Sequence, residues 1–343
     1  MTVRHRAPEQ DVQGVPGVPP PGAHGGDAAV VARALGVDPE SLLDLSASLN
    51  PFAPDPVPVL RRHLESGVLA RYPDDGPART ALAAAMGVDP ARLVLTNGGA
   101  EAIALVAAEI GRGEVVEPEF ALYRRYLPVV EPGGARVRSN PHNPTGVLAP
   151  ADEVAAVWDE AFYPLATGTW TRGDADRGSV VVGSLTKLLS CPGLRLGYVL
   201  APDERFAAAI ERRRPAWSVN GLAAAALGEL LGTVDLAGWA RAVARARREL
   251  TEVLVRAGLV VSPSDANWVL ASGVPDLRAR LVRHGVLVRD CTSFGMPGTV
   301  RVAVPDADGL ARLDAALVAV TKTVPDHGVP EHGRGTPRHG MVR

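Results

Sequence analysis

The sequence predicts an α/β protein: a large domain on a mostly parallel, doubly wound sheet, with a smaller α+β domain beside it. Three observations carry that prediction. Through the middle of the chain, short apolar runs alternate with helix-length segments, the pattern of strand–helix–strand units. Residues 179–183 (SVVVG) form a continuous β-branched run of the kind required by a strand covered on both faces. The length of 343 residues, 46% of them apolar and 22% charged, supplies core material for about two domains.

Residues 1–22 are rich in Pro and Gly without periodicity and read as a disordered arm. Helices are expected over 28–35 and 57–69. A short strand over 93–96 breaks at Asn97-Gly98-Gly99, a helix follows over 100–110, and another strand covers 114–116. The apolar residues 154–158 lead into Asp159, and the run 179–183 follows. Helices are expected over 202–214, 222–231 and 236–257, the last with arginines on its polar face. The smaller domain collects strands over 259–262, 267–271, 286–288 and 299–304 and helices over 276–284 and 306–320. Residues 323–343 resemble the arm; His327, His332 and His339 there share no helix face and read as a solvated tail rather than a metal site. The division is therefore an arm (1–22), a segment joining the small domain (23–70), a large domain (71–235), a small domain (236–322) and a tail (323–343).

A formal net charge of -2 gives no electrostatic case for nucleic acid. Cys191 and Cys291 cannot build a disulfide framework, and no metal-ligand spacing surrounds them. No basic leader and no run of about 18 apolar residues is present, so a cytoplasmic protein without membrane attachment is expected.

The chemistry concentrates after the strand at 179–183, in Ser184-Leu185-Thr186-Lys187 and Pro192-Gly193-Leu194-Arg195. Lys187 and Lys322 are the only lysines although Lys+Arg is 36. A chain that writes its positive charge as Arg uses Lys where an amine must lose its proton and act as a nucleophile; an ordinary surface cation is the alternative. Asn97-Gly98-Gly99-Ala100-Glu101 opens a helix whose first amides suit an anion, or is a plain tight turn. Asn140-Pro141-His142-Asn143-Pro144-Thr145-Gly146 is more specific, since two Asn-Pro steps fix an amide side chain in a rigid loop. Asp159, at the end of a buried strand, needs a partner such as a protonated ring nitrogen, unless it caps a helix. Arg289 and Arg301, at or in strands of the smaller domain, each call for a bidentate carboxylate; a protein acid is the alternative, with Asp290 beside Arg289.

In this order the motifs resemble the fold-type I pyridoxal 5'-phosphate enzymes of the class I/II aminotransferase superfamily, over nearly the whole chain from His24 to about Val320. The resemblance implies that Lys187 forms the Schiff base, Asp159 pairs with the pyridinium nitrogen and Asn143 bonds the phenolic oxygen. It further implies that Phe120 stacks on the ring, and that Gly99, Ala100, Ser184, Thr186 and Arg195 hold the phosphate. Tyr72, in Arg71-Tyr72-Pro73, would reach the phosphate from the other subunit of a homodimer. The opening His24-Gly25-Gly26-Asp27, the stretch Leu43 to Pro51, Asp159-Glu160-Ala161-Phe162 and Val288-Arg289-Asp290-Cys291 are most similar to cobalamin-pathway threonine-phosphate decarboxylases. By that similarity His24, Asn50, Arg289 and Arg301 bind a small phosphorylated amino acid. A histidinol-phosphate-type aminotransferase and a non-catalytic protein that kept the fold are the alternatives.

The chain departs from this pattern in its short connections from Phe120 to Asn140 and from Gly146 to Asp159. Residues 150–158 are expected to supply a turn of helix and a strand, and the sheet is open to the loss of an element. Ser48 stands where relatives often have Asn, and Ala100 where they have Ser.

Overall fold

The computed structural model describes residues 18–22 and 25–321. The expectations attached to residues 1–17, to His24 and to the tail from residue 322 with its three histidines lie outside the described residues. In chain order the elements are α1 (Ala28–Leu35), β1 (Leu43–Leu45), α2 (Val57–Glu65), α3 (Gly76–Met86), β2 (Leu93–Asn97), α4 (Gly98–Ile110), β3 (Arg112–Glu114), α5 (Leu122–Tyr126), β4 (Val129–Val130), β5 (Ala135–Ser139) and β6 (Val157–Asp159). They continue with α6 (Tyr163–Thr167), β7 (Val180–Ser184), α7 (Leu185–Leu188), β8 (Leu196–Leu200), α8 (Glu204–Arg213), α9 (Gly221–Leu231), α10 (Leu236–Arg256), β9 (Val260–Val261), β10 (Trp268–Ser272), α11 (Leu277–Val282), β11 (Val286–Asp290), β12 (Thr299–Ala303) and α12 (Ala307–Thr321).

The larger sheet has seven strands in the order β2-β8-β7-β6-β5-β3-β4. β8 runs antiparallel to both neighbours, and the remaining pairings are parallel. Side chains alternate across it, as the pleat requires. Leu93, Leu95, Val181 and Tyr198 pack with Trp158 on the face that carries α3 and α9, and Val94, Val137, Val182 and Val199 pack against α4, α5 and α8 on the other. Burial on both faces explains why the strand at 180–184 reads as unbroken apolar sequence.

The smaller sheet runs β1-β11-β12-β10-β9. β1, from the N-terminal segment, lies parallel to β11 with Leu43 opposite Val286, and the other pairings are antiparallel. Leu250, Leu254, Val269, Leu281, Val302, Leu313 and Leu317 form its core with α10, α11 and α12. Residues 18–22, read from the sequence as the end of a disordered arm, lie on this domain: Val18 packs beside Val31, Leu42 and Leu287, and Arg278 donates to the Pro19 carbonyl at 2.9 Å.

The structure differs from the sequence reading in three places. The helix expected over 57–69 stops at Glu65, because Gly67 turns left-handed (φ 72) before a separate 3-10 turn. The strand expected over 114–116 is Arg112–Glu114, and β5, β8 and α3 appear where none was expected. Third, residues 150–158 contain no turn of helix, and the strands are short, three residues in β6 and two in β4. One side chain supports the shortened connection: Arg172 donates to the carbonyls of Pro150, Ala151 and Glu153 at 3.1, 2.8 and 2.9 Å while its guanidinium lies 4.8 Å over the Trp158 ring. These bonds satisfy backbone acceptors that a helix would have satisfied internally.

Replacing Arg172 with Met keeps a stem over Trp158 and removes the donors. The variant should lose about 2 kcal/mol or more of unfolding free energy, read as a lower urea midpoint at unchanged slope. An unchanged midpoint would show that the connection holds itself.

Candidate active site

Ser139, Asp159 and Ser184 are the last residues of the adjacent parallel strands β5, β6 and β7, so their side chains meet at the carboxyl edge of the sheet. In open α/β sheets this edge is where ligands bind. A cavity of about 200 Å³ opens there, walled on the far side by Gly25, Ser46, Ala47 and Arg301 from the smaller domain and its joining segment. A wider hollow of about 430 Å³ lies at Pro73, Asp75, Arg214 and Trp217; it holds no amine nucleophile, and its Arg214 and Asp75 already pair with each other.

Lys187 stands in the cavity on the single turn of α7. Its Nζ donates to the Ala47 carbonyl at 3.0 Å. Asn50 fixes this turn from outside: its N–H donates to Lys187 O at 3.0 Å and its Nδ2 to Leu188 O at 3.0 Å. Burial brings the Lys187 pKa down to about 8, and the guanidiniums of Arg301 and Arg195 push the same way against a smaller pull from Asp44. A fraction of the amine is therefore neutral, and nucleophilic, near physiological pH.

One end of the cavity is an anion cradle. The first amides of α4, from Gly98 to Ala100, have no helical acceptor, and Gly99 and Ala100 line the wall. Gly98 has φ 76, and a Cβ there would lie 2.4 Å from Nη2 of Arg195. A Cβ on Gly197 would lie 2.4 Å from the Gly98 carbonyl carbon. Only glycines allow α4, β8 and Arg195 to converge this closely. The Glu101 carboxylate turns away and accepts the Asn97 N–H at 2.6 Å. Ser184 and Thr186 complete the same end.

The floor carries the acid. Asp159 Oδ2 accepts from the Tyr123 hydroxyl at 2.8 Å, and Oδ1 from the Ala161 N–H at 3.0 Å. Burial raises its pKa, which those two donors oppose, so a cation arriving in the cavity would stabilise its charged form. Phe120, edge-on to Tyr123 at 5.8 Å, and Ala161 also border the space. Across from them Arg301 is 7% exposed, with Nη1 donating to Asn143 Oδ1 at 2.8 Å, Nη2 to Ser46 O at 3.4 Å, and its guanidinium 4.9 Å over Trp268. Among the described residues no carboxylate reaches it, and its buried Nε is unsatisfied. Burial lowers its pKa to about 10, with Arg289 adding to the effect against Cys291. Because Asn143 spends its oxygen on Arg301, its amide N–H₂ remains to donate.

The sequence-derived residues Gly99, Ala100, Phe120, Asn143, Asp159, Ser184, Thr186, Lys187, Arg195 and Arg301 thus meet in one cavity. Three others do not line it, and a fourth, His24, lies outside the described residues. Asn50, expected at the substrate, spends its side chain on Leu188 O and the Phe52 N–H, so it braces Lys187 instead. Arg289 donates to Gly22 O at 2.6 Å and Ser293 Oγ at 2.7 Å, next to the cavity wall, while Asp290 accepts the Thr292 N–H. Tyr72 is 78% exposed and stacks on Trp217 at 4.4 Å; its expected role concerns a second subunit's cavity. Sequence reasoning missed Tyr123 and Ser139. Tyr123 follows Phe120 by three residues, Phe120 just before α5 and Tyr123 in its first turn, and that spacing was the available signal.

An anion cradle, a carboxylate needing a cationic partner, an unpaired guanidinium and a neutralisable lysine amine fit pyridoxal 5'-phosphate. Comparison with known proteins agrees. Residues 137–317 match the model of the family described as aminotransferase class I and II. The chain is 32% identical to the threonine-phosphate decarboxylase of Salmonella typhimurium, over 86% of this chain and 95% of that protein. It is 29% identical to histidinol-phosphate aminotransferase 2 of Ralstonia nicotianae, over 85% and 91%. Its fold superimposes with a TM-score of 0.70, at 20% identity, on the Sinorhizobium meliloti histidinol-phosphate aminotransferase solved in complex with pyridoxal-5'-phosphate, covering 80% of this chain and 89% of that one.

On cofactor-free protein, acetylation of Lys187 should accelerate as pH rises through about 8, since a depressed pKa frees the amine earlier than in an ordinary lysine. Peptide mass spectrometry separates it from Lys322. Identical midpoints for the two lysines would remove the case for an activated amine.

Proposed function

Because this chain belongs to the class I and II aminotransferases, enzymes whose cofactor is pyridoxal 5'-phosphate, we propose that it decarboxylates L-threonine O-3-phosphate to aminopropanol phosphate, a step of cobalamin biosynthesis. Arg301 carries the choice. It is a buried guanidinium, free of protein carboxylates among the described residues, that opens on the cavity beside Lys187. Arg289 sits opposite it in the β11–β12 register. Threonine phosphate offers Arg301 a carboxylate, whereas histidinol phosphate has none. The Salmonella decarboxylase, at 32% identity, supports the same choice.

When bound, the cofactor supplies an electron sink for the pair released as the bond to the carboxylate breaks. The chain does the rest. Lys187 would hold the cofactor through its amine, and that amine, once free, would carry a proton to the substrate Cα. Asp159, steadied by Tyr123 and Ala161, would keep a proton on the ring nitrogen and so keep the sink strong. The Asn143 amide would donate to the phenolic oxygen, and Phe120 would cover the ring. Gly99, Ala100, Ser184, Thr186 and Arg195 would hold the phosphate. Arg301 grips the carboxylate with a planar fork that a lysine could not reproduce.

The enzyme acts as a homodimer in the cytoplasm, with Tyr72 reaching the partner's cavity. The exposed Tyr72–Trp217 stack supports such a contact, and among the described residues no single helix is long and apolar enough to cross a membrane. A second reading, transamination of histidinol phosphate, is favoured by the relatives of that name at 28–30% identity.

Incubation of the loaded enzyme with L-threonine O-3-phosphate should release CO₂ and aminopropanol phosphate in equal amounts. Formation of the 2-oxo acid without CO₂, or turnover of histidinol phosphate alone, would transfer the assignment to the aminotransferase reading.

A further inference from the structure

We propose that Glu119 is a positioning residue of this site, a buried acid that sets the hydrogen bonding of Asp159 and Asn143 through the hydroxyls of Ser139 and Tyr123; the proposal rests on the cofactor reading above. Glu119 lies in the turn between β3 and α5 and is 4% exposed. Its carboxyl accepts the Ser139 hydroxyl at 2.6 Å, the Ser139 N–H at 3.1 Å and the Phe120 N–H at 3.3 Å. The Ser139 oxygen in turn accepts the Asn143 N–H at 2.7 Å. Tyr123, whose hydroxyl donates to Asp159, lies beside Ser139, whose hydroxyl is spent on Glu119. One carboxyl therefore holds the serine that stands beside the tyrosine bonded to the acid on the cavity floor, and through that serine's hydroxyl it reaches the loop that carries Asn143.

Nothing nearby neutralises a charged Glu119 at close range. His142 Nε2 is 3.8 Å away but donates to Pro118 O at 2.8 Å, with Nδ1 2.8 Å from the Thr145 hydroxyl; burial lowers the His142 pKa and so disfavours its charged form. Arg138 faces Glu119 only at longer range and pairs with Glu153 at 2.8 Å. Glu117 accepts the Glu119 N–H and pairs with Arg124. Tyr123 and Asp159 complete the set of titratable groups on this side. Burial accordingly raises the Glu119 pKa to about 8, so the group changes charge a little above neutral pH.

An amide would suffice if Ser139 merely needed an acceptor; an acid gives two states. Ionised, Glu119 takes both Ser139 hydrogens, and Tyr123 receives no hydrogen bond from the Ser139 hydroxyl. On taking one proton from solvent, Glu119 donates to the Ser139 oxygen, and the Ser139 hydroxyl turns to the Tyr123 oxygen. A tyrosine that accepts one hydrogen bond donates the next more strongly. Asp159 is then a weaker base toward a cation in the cavity. Raising the pH through the Glu119 transition therefore strengthens the hold of Asp159 on the ring-nitrogen proton.

The test uses the full chain loaded with pyridoxal phosphate carrying ¹⁵N in the ring, and the variant Glu119→Gln. The glutamine amide can donate to the Ser139 oxygen while its carbonyl accepts the Ser139 N–H, so it reproduces the protonated state. Infrared difference spectra of the parent should show a protonated-carboxyl band component that disappears as pH rises through about 8 and is absent from the variant, a loss that separates it from Glu160, whose pKa burial raises to about 7. The ring-nitrogen chemical shifts of parent and variant should coincide below that pH and separate above it, with any contribution of Lys187 common to both. A parent without the band, or a variant that keeps it, overturns the assignment of the titrating acid. A normal band with coincident nitrogen shifts on both sides overturns the relay. Should Glu119→Gln fail to fold, Ser139→Ala serves: the band should still titrate and the nitrogen shift should cease to follow it, and a shift that still follows it overturns the relay. The band can also be recorded without cofactor, so failure to bind pyridoxal phosphate, which would sink the function above, is distinguishable from failure of this proposal.

Discussion

Three cations, Lys187, Arg195 and Arg301, converge on a cavity whose lining includes one carboxylate, Asp159. That imbalance is the constraint on which the rest of the site depends. Like charges in a partly dry space disfavour one another, and the group most able to yield is the amine, because guanidinium does not lose its proton under ordinary conditions. Burial first, and the two guanidiniums after it, accordingly loosen the proton of Lys187. The same imbalance defines the ligand: it must bring negative charge at both ends of the cavity, to the cradle of α4 and Arg195 and to the fork of Arg301. It must also present a cationic centre to Asp159. A phosphorylated pyridine ring joined to an amino acid meets these requirements.

Such a cluster persists only on a scaffold that prevents it from relaxing. Ser139, Asp159 and Ser184 are fixed as strand ends, and α7 is clamped by two bonds from Asn50. The loop at residues 46–49 is held from the small domain by the Asn267 amide, which donates to Ser48 O at 2.7 Å. Asn143 is held by its backbone on Ser139 and by its side chain on Arg301. Each polar tie is buried or half-buried, where its loss would leave an unsatisfied group behind. The shortened connection before Asp159 fits the same logic, since Arg172 replaces helical hydrogen bonds with side-chain ones and leaves the strand end where it must be.

Much of this was legible in the sequence, for identifiable reasons. The rarity of lysine singled out Lys187, and the apolar run before it announced a strand covered on both faces. Asn-Pro steps and the Gly98-Gly99 pair read correctly as backbone devices, and Gly98 indeed needs a left-handed φ that leaves no room for a Cβ. The strand at 135–139 stayed hidden because Arg136 and Arg138 look like surface residues, and only the fold reveals Glu153 as their partner. Asn50 looked like a ligand contact because it shares a motif with cavity residues, yet a side chain spent on the backbone is invisible in sequence. Tyr123, Ser139 and Glu119 escaped notice for the converse reason: each is unremarkable alone, and their meaning lies in contacts across the turn after β3 and the end of β5. Ser48 holds φ 50, a conformation asparagine adopts more readily than serine.

The central claim is that the desolvated amine of Lys187 is the attachment point of the cofactor. Borohydride reduction of the protein reconstituted with pyridoxal phosphate, followed by peptide mapping, tests it most directly. The pyridoxyl group should be found on Lys187 in stoichiometric amount. A pyridoxyl group on Lys322, or on neither lysine, would contradict the account.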